Sequence, residues 1–176
     1  MQPINTARLK IREFIFADAD AFISFMTDPE STKFLTFTNE QTTREGAKSL
    51  IEFTIDSYGS EQPMLAFAVE EKDSKRFVGF CGLNPHDDET VEVMYAVMPE
   101  ARGRGYGAEI AIAISHHALN DLGYHRVVAP IAPENKYSQV VATKAGFKDC
   151  GIVKQTNFPE LVRQFVLQRE MINDAD

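Results

Sequence analysis

Long apolar runs are missing from this chain. None approaches the roughly 20 residues a membrane-spanning helix needs, so no membrane association is expected. The opening residues also lack the charged-then-apolar pattern of a secretory signal, which makes the cytoplasm the expected compartment. Cysteine is scarce: Cys81 and Cys150 are too few for a disulfide framework. Both sit in strand-like sequence and are expected to be buried fillers rather than nucleophiles. Positive charge is in deficit, with a formal net charge of −8, which argues against nonspecific nucleic-acid binding. His86, His116, His117 and His125 show no metal-ligand spacing, so no metal is expected. Repeats, low-complexity tracts and linkers are absent as well. What remains is an ordinary globular composition, 44% hydrophobic and 25% charged, over 176 residues that fit one domain, 1–176.

Apolar periodicity divides the chain into short elements. Arg8 to Ile15 reads as a strand. A helix capped by Asp18 follows, with Phe22, Phe25 and Met26 inward, and Asp28-Pro29 ends it. Thr42 with Glu45 reads as a capping box. It opens a helix with Ala47, Leu50, Ile51, Thr54, Ile55 and Tyr58 on one stripe, closed by Gly59. Met64 to Glu70 and Phe77 to Leu83 are expected as antiparallel strands, and Thr90 to Val97 as a fourth strand. A long helix with Ile110, Ile114, Ala118 and Leu122 in register stops at Gly123. Val127 to Ile131 reads as a fifth strand and Asn135 to Ala145 as a short helix. Two strands follow, near Phe147 to Val153 and Val162 to Met171. The order βααβββαβαββ predicts a mixed α+β layer architecture.

Between the fourth strand and the long helix stands Arg102-Gly103-Arg104-Gly105-Tyr106-Gly107. A glycine-rich turn at the positive end of a helix dipole binds phosphate through main-chain N–H groups. The bland alternative is a tight turn with no ligand. The spacing overlaps the dinucleotide fingerprint, but no βαβ unit with a downstream acidic ribose ligand accompanies it.

Three stretches together resemble the GNAT superfamily of acyl-coenzyme A-dependent N-acyltransferases, nearest its ribosomal-protein alanine N-acetyltransferase branch. They are Thr6 to Arg12 with Asp18-Ala19-Asp20, then Val91 through Gly107 and Glu109, then Glu134 to Ser138 running to Lys144-Ala145-Gly146-Phe147. The resemblance implies a GNAT-type three-layer α+β fold: a twisted mixed sheet of about seven strands, helices on both faces, and a cleft where strands four and five part. It implies acetyl-CoA as co-substrate and direct acetyl transfer to a primary amine, either a protein N-terminus or a small amine. A non-catalytic acyl-CoA sensor is the alternative, and a longer acyl group a third reading that Met94 and Met98 would permit or block. An exposed last strand can pair with a second copy, so a homodimer is one expected assembly.

The same resemblance implies site residues. The main chain of Arg102, Gly103, Arg104, Gly105, Tyr106 and Gly107 would face the pyrophosphate. Val97 would offer its N–H and C=O to pantetheine, as an added strand does. Asn135 would touch pantetheine or the reaction region; its plain alternative is an N-cap. Glu92 matches a glutamate common on this strand and is the candidate base. A carboxylate in an apolar strand is unusual in itself, although it could also face solvent or pair with a basic neighbour. Many superfamily members carry a tyrosine where this chain has Ala142, so Ser138 becomes the candidate donor to the leaving sulfur. Its alternative is a first-turn helix serine. Phe34, Leu35 and Phe37 fall in a segment that often lines the acceptor pocket, or are ordinary core aromatics.

Overall fold

A computed structural model describes residues 2–154 and 161–170. In chain order the elements are β1 (Ile4–Asn5), β2 (Leu9–Arg12), α1 (Ala19–Met26), α2 (Pro29–Thr32), α3 (Arg44–Ser57), β3 (Ala66–Glu71), β4 (Phe77–Pro85), β5 (Thr90–Val97), α4 (Tyr106–Asn120), β6 (Arg126–Ile131), α5 (Lys136–Lys144), β7 (Lys148–Lys154) and β8 (Leu161–Gln168). The strands hydrogen-bond in the order β1-β2-β3-β4-β5-β6-β8-β7. The sheet is mixed: β5 and β6 are parallel, whereas β1–β2, β2–β3, β6–β8 and β7–β8 are antiparallel. There are eight strands among the described residues rather than about seven, because β1 is only two residues long and carries no readable alternation.

The chain divides into two compact units. The first comprises the described residues through Cys81 together with Ala96–Arg104. Its core is rich in phenylalanine. Phe22 meets Phe14 edge-on at 5.4 Å and Phe80 at 5.2 Å, and Phe25 meets Phe80 at 5.0 Å, the offset and edge geometries that aromatic quadrupoles favour. β2 is shorter than Arg8 to Ile15 because the N–H groups of Phe14 and Ile15 donate to Tyr58 Oη at 3.1 Å and Asp18 Oδ2 at 2.9 Å rather than to a strand, while the side chain of its last residue, Arg12, enters a buried ion pair. Its Nη1 and Nη2 donate to Asp18 at 2.7 and 3.0 Å, and its Nε donates to Glu70 at 3.0 Å. Asp18 does precede α1, but its side chain does not cap that helix; it accepts from Arg12 and from the Ile15 N–H at 2.9 Å. Asp28 and Pro29 begin the short α2 as well as following α1. The cap of α3 is Thr43, one residue beyond the expected Thr42: its Oγ1 accepts from Gly46 N at 3.0 Å.

The second unit comprises Gly82–Tyr95 and the described residues from Gly105 onward. Ile110, Ala111, Ile114, Ala118 and Leu119 form the buried face of α4. Leu122, expected in that register, lies past the helix end and is exposed. Leu122 N donates to His117 O and Tyr124 N to Ala118 O, a glycine-closed end with Gly123 at φ 87°. β7 pairs with β8 through a bulge at Cys150 and Gly151, which leaves Cys150 exposed, not buried as expected; Cys81 is fully buried. Met171, the expected end of the last strand, lies outside the described residues.

Candidate active site

In the second unit β5 and β6 pair at Thr90↔Arg126, Val91↔Val127 and Glu92↔Val128. β6 continues against β8 as far as Ile131↔Arg163. The two parallel strands therefore part just after Glu92, where main-chain groups of β5 lose their β6 partners. The 86–89 loop between β4 and β5 is closed by His86 N donating to Thr90 O at 2.9 Å. Asp87 Oδ1 accepts from Glu89 N at 2.8 Å and Thr90 N at 2.6 Å, and these bonds hold its carboxyl below the ordinary range. That tight loop sets His86 Nε2 3.1 Å from Glu92 Oε2. The Glu92 side chain is 15% exposed and that of His86 27%. Burial pushes the Glu92 carboxyl up and His86 pulls it partly back. A carboxylate so placed binds a proton more readily than a solvated one, as a general base requires. His86 was legible in the sequence only as a non-metal histidine. Its pairing with Glu92 depends on the loop closing as it does.

Asn135 is the N-cap of α5, its Oδ1 accepting from Ser138 N at 3.1 Å. The plain reading of Asn135 is therefore present, and its amide nitrogen is left to other partners. Tyr95 reaches α5 from β5, donating its hydroxyl to Ser138 O at 3.2 Å. Burial pushes the Tyr95 phenol up, so its proton stays in place. Ser138 thus uses both main-chain groups inside the protein, while its hydroxyl has no hydrogen-bond partner among the described residues. Glu92 and Tyr95 sit an odd number of positions apart and leave opposite faces of β5. Glu92 shares no hydrogen bond with Asn135 or Ser138. Ala142 is buried, so the position where the resemblance would place a tyrosine lies in the core.

In the glycine-rich turn, Gly103 and Gly105 adopt φ 75° and 81°, the left-handed region that favours glycine. A β-carbon on Gly103 would meet nothing within 4 Å, so φ rather than space demands glycine there. Gly105 is the N-cap of α4, and Gly107 stands in its first turn, where helical N–H groups lack intrahelical acceptors. Tyr106 is buried, so only its main chain can serve a ligand. In the first unit the Arg102 Nε donates to Val97 O at 3.1 Å and its Nη2 to Ser31 Oγ at 2.8 Å. One lone pair of the Val97 carbonyl is therefore already used. Arg104 Nη2 lies 2.8 Å from Glu71 Oε1. Both guanidinium groups engage the protein, and the main chain is the part of this turn suited to an anion. Of the aromatic segment, Phe34 is exposed and Leu35 and Phe37 lie outside the buried core. Among the described residues no group of three or more His, Cys, Asp or Glu could hold a metal ion, and no helix is long and apolar enough to cross a membrane.

Residues 8–148 match the family model described as an acetyltransferase (GNAT) domain. An uncharacterised N-acetyltransferase, p20, of Bacillus licheniformis is 26% identical over 156 residues, 88% of this chain and 86% of its own length. An acetyltransferase of the GNAT family from Bacillus anthracis superposes with a TM-score of 0.80 at 22% identity, covering 96% of this chain and 99% of that one. Spermidine N-acetyltransferase from Vibrio cholerae, solved with CoA and spermine, gives a TM-score of 0.78 at 15% identity over 94% and 98% of the two chains. Ribosomal-protein-S5-alanine acetyltransferase from Vibrio fischeri gives 0.75 at 17% identity over 97% and 98%. The α+β three-layer fold expected from the motifs is the fold these neighbours share. The chain belongs to the GNAT acetyltransferase family and is an acyltransferase.

Proposed function

We propose that this enzyme transfers an acetyl group from acetyl-CoA directly to a primary amine, with Glu92 as the base. The observation that carries the proposal is the part-buried Glu92 carboxylate at the point where β5 and β6 separate. Acetyl-CoA, when bound, supplies the activated acetyl thioester. The main chain of Arg102 through Gly107 is assigned to its pyrophosphate, supported by the left-handed Gly103 and Gly105 leading into α4. The main chain of Val97 and the amide nitrogen of Asn135 are assigned to the pantetheine arm, and the Ser138 hydroxyl to the departing sulfur.

The base matters to different degrees for different amines. A terminal α-amine with a pKa of roughly 7.7–8.0 is partly neutral at pH 7. A lysine amine near 10.4 is about 3.4 units from neutrality, on the order of 4.6 kcal/mol. Asp87, Asp88 and Glu89 beside the Glu92–His86 pair favour an acceptor that arrives as a cation.

The test is CoA release from acetyl-CoA with N-terminally varied peptides, N-terminally blocked peptides carrying one lysine, and polyamines. CoA should be read by chromatography, because the exposed Cys150 would consume a thiol reagent. Release with one acceptor class is expected. Acetyl-CoA binding by calorimetry without release across the panel would refute catalysis and sustain a sensor.

A further inference from the structure

We infer that His86 is the proton exit of the active site, receiving from Glu92 the proton that Glu92 takes from the amine. The inference rests on the reading of Glu92 as the base. The two groups are in direct contact, Nε2 to Oε2 at 3.1 Å, and the imidazole is the more exposed partner, 27% against 15%. A part-buried carboxylate that has taken a proton needs a route for losing it before the next turnover, and a histidine can both accept and release one.

The transfer balances without any further reactant. With its proton on Nδ1, the neutral imidazole offers the Nε2 lone pair to the Oε2–H of protonated Glu92. The proton crosses, leaving carboxylate and imidazolium. The imidazolium then gives its Nδ1 proton to water, and tautomer exchange through water returns the starting ring.

The surroundings give Glu92 little other help. β4 brings Gly82, Leu83, Asn84 and Pro85 to this unit, none of them titratable. β6 sets Val128 opposite Glu92. Arg126, at the start of β6, acts on Asp87, and Asp87 is bound by the N–H groups of its own loop. Asp88 and Glu89 complete the loop's charges, and α5 carries Lys136 and Lys144. The group that acts on Glu92 is His86.

The experiment compares wild type with Glu92→Gln, His86→Gln and His86→Ala, using the acceptor that releases CoA in the panel above. Glutamine can still donate a hydrogen bond to Glu92 but cannot carry a proton. Both His86 variants should lose kcat on the order of tenfold, a part of the 10²–10⁴ typical of acid–base groups, with KM unchanged. Added imidazole should restore kcat in His86→Ala and leave Glu92→Gln unaffected. Wild-type kcat and pH profile in both His86 variants, beside a defective Glu92→Gln, would overturn the exit while leaving the base in place. Full turnover in Glu92→Gln would overturn both. Independently of turnover, the Glu92 carboxyl carbon followed by NMR should titrate at higher pH in His86→Ala than in wild type; an unmoved midpoint would mean that the pair does not form, and would overturn the exit.

Discussion

Arg12→Met should destabilise the first unit strongly. The Asp18 side chain is 5% exposed and that of Arg12 14%. Arg12 supplies two of the hydrogen bonds Asp18 accepts, at 2.7 and 3.0 Å, and Ile15 N–H supplies another at 2.9 Å. Methionine keeps much of the apolar stem but removes the charge, so Asp18 keeps one neutral donor in a site closed to water. Glu70 loses its partner at 3.0 Å in the same step. Removing one member of a buried pair costs about 3–5 kcal/mol, mostly because the other charge stays behind unpaired. Domains are stable by only about 5–15 kcal/mol in all. At about 2–4 °C per kcal/mol for a protein of this size, Tm should fall by about 6–20 °C. Urea unfolding would measure the loss directly. The double variant Arg12→Met/Asp18→Asn should recover part of it, since the stranded charge is then gone. A loss below about 1 kcal/mol for Arg12→Met would refute the reasoning and place the pair among solvent-screened surface bridges.

Glu92 should set an ascending limb in the pH–rate profile. The carboxylate is the active form, so rate rises as its proton leaves, and burial places the midpoint above the ordinary carboxylate range; a midpoint within that range, or a limb surviving in Glu92→Gln, would count against the base. The same raised affinity for a proton makes Glu92 a stabilising group only at low pH: its contribution is full below the unfolded-state pKa and lost as pH rises through the folded one. Gly103→Ala should cost about 1–2 kcal/mol of left-handed strain without a clash. It should also raise KM for acetyl-CoA more than KM for the amine, to be read from initial rates with each substrate varied in turn. Thiol titration should find Cys150 reactive in the native protein and Cys81 silent until unfolding, because burial excludes the reagent and pushes the Cys81 thiol up; two fast thiols in native protein would contradict the fold.

Much of the architecture was legible because it rests on local signals. β5 spans Thr90–Val97 as read, since its apolar run is bounded by polar sequence on one side and Met98-Pro99 on the other. Asn135 begins a helix because its side chain can accept an N–H locally, and Gly123 and Gly146 stop helices because they can turn left-handed. The glycine pattern likewise announced the turn before α4, whose φ values of 75° and 81° are what glycine is there to permit. These are properties of a few adjacent residues, and sequence spacing carries them.

What failed or stayed open in the sequence depended on residues far apart. Asp18 looked like a cap, but a buried arginine competes for the same oxygens and wins because a charge-assisted bond is the stronger. Cys150 looked buried because its strand is apolar in part, but the bulge opposite β8 turns it outward. Arg102 and Arg104 were expected to serve a pyrophosphate through their main chain; that Ser31, Val97 and Glu71 would engage their guanidinium groups was not readable from the sequence. Glu92 was a candidate by residue type alone, and only the closing of the 86–89 loop set His86 against it. Sequence by itself determined the order of the longer elements, the glycine turn and the family, but not the short β1 and α2, because local backbone preferences and short motifs are written in consecutive residues. Tertiary structure decided which charges meet and which side chains water reaches, because those depend on distances across the fold that spacing along the chain does not contain.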